Sequence, residues 1–335
     1  MRIIFTIAIV FLVMSCNGVE KPIVRNQSTG HALGTTYNII YMSNDTIHLD
    51  KEIDSVFNAV NNSLSTYIPD SDISKINRRD STIQVDKMFQ DVFLLSKKIY
   101  QETNGYFDPT VGSLVNAWGF GPEEKIMMDS VKVDSLLQYV GFDKVSITEN
   151  NYIVKENPDV YFDFNAIAKG YAIDRIGVML TEEGITDYLV EVGGELIAKG
   201  LNTSKNKAWI VGIDDPQVEN GRSLKLKIAL ENRALASSGN YRKFRIDEET
   251  GRKYVHTVDP KTGFTKDSNT LGVTILANDC ATADAFATAF MAMDLEDAFM
   301  IINENKELEA YIIYLDNKGN TKEFLTSGFK KVVVE

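Results

Sequence analysis

Apolar positions recur along the chain with two periods, and the period assigns most of the elements. From Asp50 to Leu64 the residues Ile53, Val56, Phe57, Val60 and Leu64 fall at three- and four-residue steps, the spacing of one helix face. Asp86 stands where it can cap a second helix reaching about Thr103, with Gly105 as its stop. Residues 169–180 and 281–303 carry the same helical period. Short β-branched and aromatic runs at 37–42, 187–192, 208–213, 224–230, 254–258, 271–276 and 310–314 read as strands, several joined by turns. Helices and hairpins mix without regular strand–helix alternation. That predicts an α+β fold with mixed, largely antiparallel sheets and packed helices. No fixed-period repeat and no Pro/Ser linker divides the chain, so one two-lobed domain over residues 31–335 is expected.

The first residues break the pattern. After Arg2, an almost unbroken apolar run covers residues 3–14, too short for about 30 Å of hydrocarbon but suited to a signal peptide. Ser15 then precedes Cys16, and Val13-Met14-Ser15-Cys16 resembles a bacterial lipobox. The expectation is removal of residues 1–15, acylation of the Cys16 thiol, and a polar tether over 16–30. The mature protein would be lipid-anchored in a bacterial membrane and face the periplasm. An ordinary secretory signal with an incidental cysteine is the competing reading. Cleavage removes Arg2 and no acid, taking the net charge from −12 to −13.

Composition narrows the chemistry. The chain has 335 residues, 44% hydrophobic and 24% charged, which is ordinary for a globular protein. With 35 basic against 47 acidic residues and no dense Lys/Arg run, nucleic-acid binding is disfavoured, since that affinity comes mostly from phosphate neutralisation. Three histidines and two cysteines exclude His- or Cys-rich metal centres, so a divalent metal must be held mainly by oxygen. With lipid on Cys16, Cys280 has no disulfide partner and reads as a small buried thiol.

Three segments can carry chemistry. In Ala281-Thr-Ala-Asp284-Ala-Phe-Ala-Thr288, Asp284 and Thr288 lie four residues apart on one face of an Ala-rich helix. A hard cation with a hydroxyl co-ligand would satisfy such a carboxylate, and so would a helix N-terminus. In Asp163-Phe-Asn-Ala166-Ile-Ala-Lys169-Gly170, a lysine opens a helix, where the dipole opposes it unless an anion is also present. Free N–H groups with Lys169 make a phosphate site; a surface lysine is the alternative. His256, before Thr-Val258-Asp259-Pro, can act as a general base or be a satisfied structural histidine. Lys261-Thr262-Gly263 matches part of a penicillin-binding signature, but its Ser-x-x-Lys and Ser-x-Asn partners are missing from suitable places.

Nine segments in order resemble the ApbE family, the FAD:protein FMN transferases, bacterial lipoproteins once linked to thiamine synthesis. They are Leu33-Gly-Thr-Thr-Tyr37, Ser65 through Asn77, Thr103 through Gly112, and Asn116-Ala-Trp118-Gly119-Phe-Gly121. Asp163 through Asp174, Val192-Gly-Gly-Glu195, Ser237-Ser-Gly-Asn-Tyr241, His256 through Gly263 and Ala281 through Thr288 complete the set. The resemblance implies transfer of FMN from FAD to a Thr or Ser hydroxyl of exported proteins, with release of AMP. It implies Mg²⁺ on Asp284, Thr288 and the backbone oxygen of Ala166. It implies flavin contacts at Leu33, Tyr67, Ala117, Trp118, Gly119, Asp163, Lys169 and Val258. Core packing is an alternative for Trp118. His256 is the candidate base for the acceptor hydroxyl. FAD pyrophosphatase activity and non-catalytic FAD binding are the competing functions.

Overall fold

A hairpin of two nine-residue strands opens the fold: β1 (Val24–Ala32) runs antiparallel to β2 (Thr35–Ser43), with Leu33 and Gly34 as the turn. The structure, a computed structural model, describes residues 22–218, 223–239, 244–246, 253–255, 257–266 and 268–334. Helices α1 (Asp50–Leu64), α2 (Asp72–Asn77), α3 (Lys87–Glu102), α4 (Gly112–Ala117) and α5 (Ser130–Leu137) follow, then strands β3 (Val145–Ile147) and β4 (Ile153–Lys155). Next come α6 (Ala168–Glu182), β5 (Tyr188–Val192), β6 (Glu195–Lys199), β7 (Trp209–Asp214), β8 (Leu224–Leu230), β9 (Arg233–Gly239), β10 (Phe244–Ile246) and β11 (Lys253–Val255). The chain ends with β12 (Thr270–Ala277), α7 (Cys280–Ala292), α8 (Leu295–Glu304), β13 (Glu309–Leu315), β14 (Thr321–Leu325), α9 (Ser327–Val332) and β15 (Val333–Val334).

The main sheet has strand order β1-β2-β5-β6-β9-β12-β13-β14, and every neighbouring pair is antiparallel. The fold is therefore α+β, as the mixed pattern predicts. Alternate residues of each strand serve opposite faces. Ile39, Val190, Ala236, Ile275 and Ile312 face a large core with α1, α3, α6 and α7. Leu196, Ala198, Leu235, Leu276 and Ile313 face a second core shared with Trp209, Val211 and Ile228 of the small sheet β15-β8-β7 and with Phe329 of α9. A third, small cluster joins Leu114, Trp118, Val133, Val140 and Val258 around α4 and α5.

Local chemistry explains the helices. On α1 the buried residues Ile53, Phe57, Val60 and Leu64 form one stripe, and Asp50 and Glu52 complement the dipole in its first turn. Asp86 caps α3 by accepting from the Phe89 N–H at 2.8 Å, as its position predicts.

Three expectations change. Residues 24–30, expected to belong to the tether, form most of β1. The inward positions of that strand are Asn26 and Ser28, both buried but polar, so apolar alternation cannot reveal it. The helix expected over 281–303 is two helices, because Met293 and Asp294 adopt extended backbone (ψ 172° and 150°). Asp294 then heads α8 while its carboxylate accepts from Lys266 Nζ at 2.8 Å. Of the strand expected over 254–258, residues 254 and 255 belong to β11, while Val258 pairs singly with Thr265 across the Asp259–Phe264 turn.

Candidate active site

Helix α7 lies in the core with every residue buried except Thr282 and Thr288. Its N-terminus is held twice. Asp279 accepts from the Thr282 N–H, while Asp174 on α6 accepts from the N–H groups of both Cys280 and Ala281 at 2.8 Å. Burial, opposed by those two bonds, pushes the Asp174 carboxyl up to about 8. Gly170 permits this approach, because a Cβ there would lie 2.4 Å from the Cys280 carbonyl oxygen. Cys280 is fully buried, and its thiol is raised far from reactivity by desolvation, as the small-thiol reading expects.

The contact between α6 and α7 assembles the polar centre. Asp284 is 5% exposed, and its Oδ2 accepts from the Gly170 N–H at 3.1 Å. In a regular helix that N–H would go to the carbonyl of Ala166. The diversion releases Ala166 at the point where the chain turns into α6. Lys169, one residue earlier, places Nζ 2.7 Å from Glu195 Oε2, with side chains 28% and 5% exposed. Burial alone would lower the Lys169 ammonium, but the Glu195 and Asp284 carboxylates outweigh it and hold it above the usual lysine value. Burial likewise raises Asp284, against the pull of Lys169. One turn beyond Asp284, the Thr288 hydroxyl lies 3.4 Å from Ser238 Oγ at the end of β9.

The remaining expected residues fall into two groups. Leu33, at φ 51°, occupies the turn of β1–β2 and packs against the main core. Beside it, Gly193 and Gly194 make the two-residue turn from β5 to β6 at φ 63° and 104°, and the Gly193 N–H donates to Thr36 O. This turn brings Glu195 to Lys169. Glu195 is the functional candidate that residue types did not single out; its signal was the quoted Gly-Gly-Glu string. Tyr67 is 58% exposed, and its phenol is raised by burial and by the nearby Asp163 carboxylate. Asp163 Oδ1 accepts from Asn165 N–H, shaping the loop that presents Ala166.

Ala117, Trp118, Gly119 and Val258 sit apart, in or beside the small α4–α5 core. Trp118 is buried, donates Nε1–H to Gly263 O at 2.9 Å and packs near Phe264. Its ring is thus held in place by packing. His256 and Cys16 lie outside the described residues. Asp259, three residues after His256, uses Oδ1 to accept from Lys261 and Thr262 N–H groups and so organises its own turn.

The donor set fits a hard divalent cation: one buried carboxylate, one hydroxyl and one carbonyl released from its helical partner. Among the described residues no cluster of three His, Cys, Asp or Glu side chains exists, so thiolate- or imidazole-rich coordination is not available there. An anion would meet a charged lysine whose present counter-ion is Glu195.

Comparison with known proteins places the chain in a family. The ApbE family profile matches residues 33–312. A Vibrio cholerae protein named FAD:protein FMN transferase is 35% identical, covering 93% of this chain and 94% of its own. A Haemophilus influenzae protein of the same name is 31% identical over 99% and 98% of the two chains. The solved flavin transferase ApbE from Vibrio cholerae superposes with TM-score 0.83 at 33% identity, over 93% of this chain and 100% of that one. The apo form of the Pseudomonas stutzeri flavinyl transferase ApbE gives 0.81 at 27% identity, over 92% and 97%. With its profile match, its sequence relatives and its architecture in agreement, the chain belongs to the ApbE family.

Proposed function

We propose that the chain transfers FMN from FAD to a Thr or Ser hydroxyl of exported proteins and releases AMP, using Mg²⁺ held by Asp284, Thr288 and the Ala166 carbonyl. The observation that carries this reading is the α6–α7 junction, where Asp284 lies within electrostatic reach of Lys169 and takes the N–H that a regular helix would give to the Ala166 carbonyl, in a member of a family whose relatives are named for this reaction. Bound Mg²⁺ supplies positive charge at the FAD diphosphate. Lys169 adds a second cation and orients the phosphates, with Glu195 keeping it extended and charged. His256 takes the proton of the acceptor hydroxyl as its oxygen bonds to the FMN phosphorus. The P–O bond to the AMP phosphate then breaks, and AMP leaves with that electron pair. Leu33, Tyr67, Asp163, Val258 and the Ala117–Gly119 segment line the flavin side. Trp118 shapes that side from within the small core.

The lipobox supports a lipid-anchored protein that meets its acceptors in the periplasm. Incubation with FAD, Mg²⁺ and an acceptor carrying a Thr or Ser site tests the reading. Covalent flavin on the acceptor is expected. FMN and AMP with no adduct would establish a pyrophosphatase, and FAD retained without AMP would establish a carrier. His256→Ala should lose about 10²–10⁴-fold in transfer rate while FAD binding persists; a variant within a few-fold of wild type would remove His256 from the mechanism.

A further inference from the structure

The second layer covers the main sheet unevenly. Beyond it, between the β1-β2-β5 end of the sheet and β7, a cavity of about 240 Å³ opens to solvent. Ile40 and Leu189, cross-strand partners on β2 and β5, form its apolar floor. Arg25 stands on one side, Lys205 and Lys207 on the other, and Ile210, 52% exposed, on the rim. No acidic residue lines it. All three cations are exposed, and among the described residues none belongs to an ion pair; Arg25 Nη1 donates only to Gln27 Oε1 at 2.9 Å. In a chain with net charge −12, an acid-free concavity with three unpaired cations and an apolar floor runs against the rest of the composition.

Its position carries the argument further. Arg25 pairs with Met42 at the open end of the β1–β2 hairpin, whereas Leu33, beside the Gly193–Gly194 turn that leads to Glu195, closes the other end. The strand between them spans roughly 26 Å at about 3.3 Å per residue. Cys16 precedes Arg25 by nine residues. Even fully extended, that stretch reaches only about 30 Å. A lipid on Cys16 therefore keeps Arg25 within about 30 Å of the bilayer, and the Leu33 end lies roughly 26 Å further along the hairpin. Ile23, 47% exposed and two residues before Arg25, adds apolar surface at the same end.

We infer that this cavity docks the protein on its own membrane by holding the phosphate of an anionic phospholipid headgroup between Arg25, Lys205 and Lys207. Ile23 and Ile210 meet the interfacial region beside it. The inference rests on the acylation of Cys16 proposed above. Docking fixes the orientation of a tethered enzyme and directs its catalytic end toward the acceptors.

The test uses the acylated mature protein on phosphatidylcholine vesicles with and without phosphatidylglycerol. A water-soluble ester labels Lys205 and Lys207, with Lys318, exposed on the distant β13–β14 turn, as internal reference. Each cation near an anionic surface is worth about fivefold in association. The two cavity lysines should thus react about fivefold or more slowly than on phosphatidylcholine alone, relative to Lys318. Arg25→Glu should remove most of that protection while leaving transfer to a soluble acceptor unchanged. Equal labelling on both vesicle types would overturn the inference, as would protection that appears only when an acceptor protein is added. A second arm separates the anchor from the cavity: residues 16–335 carrying Cys16→Ser, on phosphatidylglycerol vesicles at low ionic strength. Lysine protection there supports docking even if the native chain proves unacylated, and its absence overturns docking by itself.

Discussion

Lys169 sits where a helix dipole opposes it, and two carboxylates resolve the conflict. Glu195 meets its ammonium directly, and Asp284 lies within electrostatic reach. The two acids play different parts, because Asp284 also takes the Gly170 N–H and so governs the Ala166 carbonyl. Asp284→Ala should abolish metal-dependent AMP release, measured by chromatography, and leave folding largely intact on an Ala-rich helix. Thr288→Val should cost less, since it removes a neutral ligand. Retention of normal Mg²⁺-dependent turnover by Asp284→Ala would make the pair structural. A separate carboxyl gives a stability test. Burial of Asp108, opposed by its bonds from Thr110, raises it from 3.8 to about 6. A raised carboxyl binds its proton more tightly when folded, so its cost is absent below about pH 4, grows to about pH 6 and is constant above. Asp108→Asn should therefore gain on wild type by roughly 2–3 kcal/mol between pH 4 and pH 7, read from urea midpoints. A pH-independent difference would mean that the native carboxyl titrates at its ordinary value.

At the scale of elements, the junction of α6 and α7 decides the site. Gly170→Ala would normally help a helix by up to about 1 kcal/mol. Here the new methyl meets the Cys280 carbonyl, and the overpacking should reverse the sign, costing about 1–3 kcal/mol in thermal or urea unfolding. A neutral or stabilising result would show that the helices can separate freely. This junction was only half legible in the sequence. Asp284 and Thr288 were readable because helical spacing alone puts them on one face. The partner of Lys169 was not, because Glu195 reaches it through a sheet whose strand order no local pattern encodes. β1 escaped because its buried positions are polar. The α7–α8 break escaped because apolar spacing runs on across Met293, although Asp294 followed by Glu296 and Asp297 is the signal of a new helix start.

For the whole molecule, one antiparallel sheet separates two tasks. Its α6–α7 face builds the polar centre, and its other face carries the small sheet and the cationic cavity. The antiparallel α+β architecture was readable from the mixture of helices and hairpins, whereas the layering needed the register. Cys16→Ser should release the protein from membranes or block its processing, followed by fractionation and mass of the mature chain. Unchanged membrane association and mass would refute the lipobox.

The Gly170–Asp284 hydrogen bond joins residues 114 positions apart, and Trp118 to Gly263 spans 145. Contacts of such separation form late and slowly in folding, since the intervening chain must first be closed into loops. No nascent or truncated chain that stops short of Thr288 contains both halves of the proposed metal site, however well its first helices and hairpin are formed. Competence to handle FAD must therefore arrive in one step at the end of folding, and proteolytic fragments from either half should be inert rather than partly active.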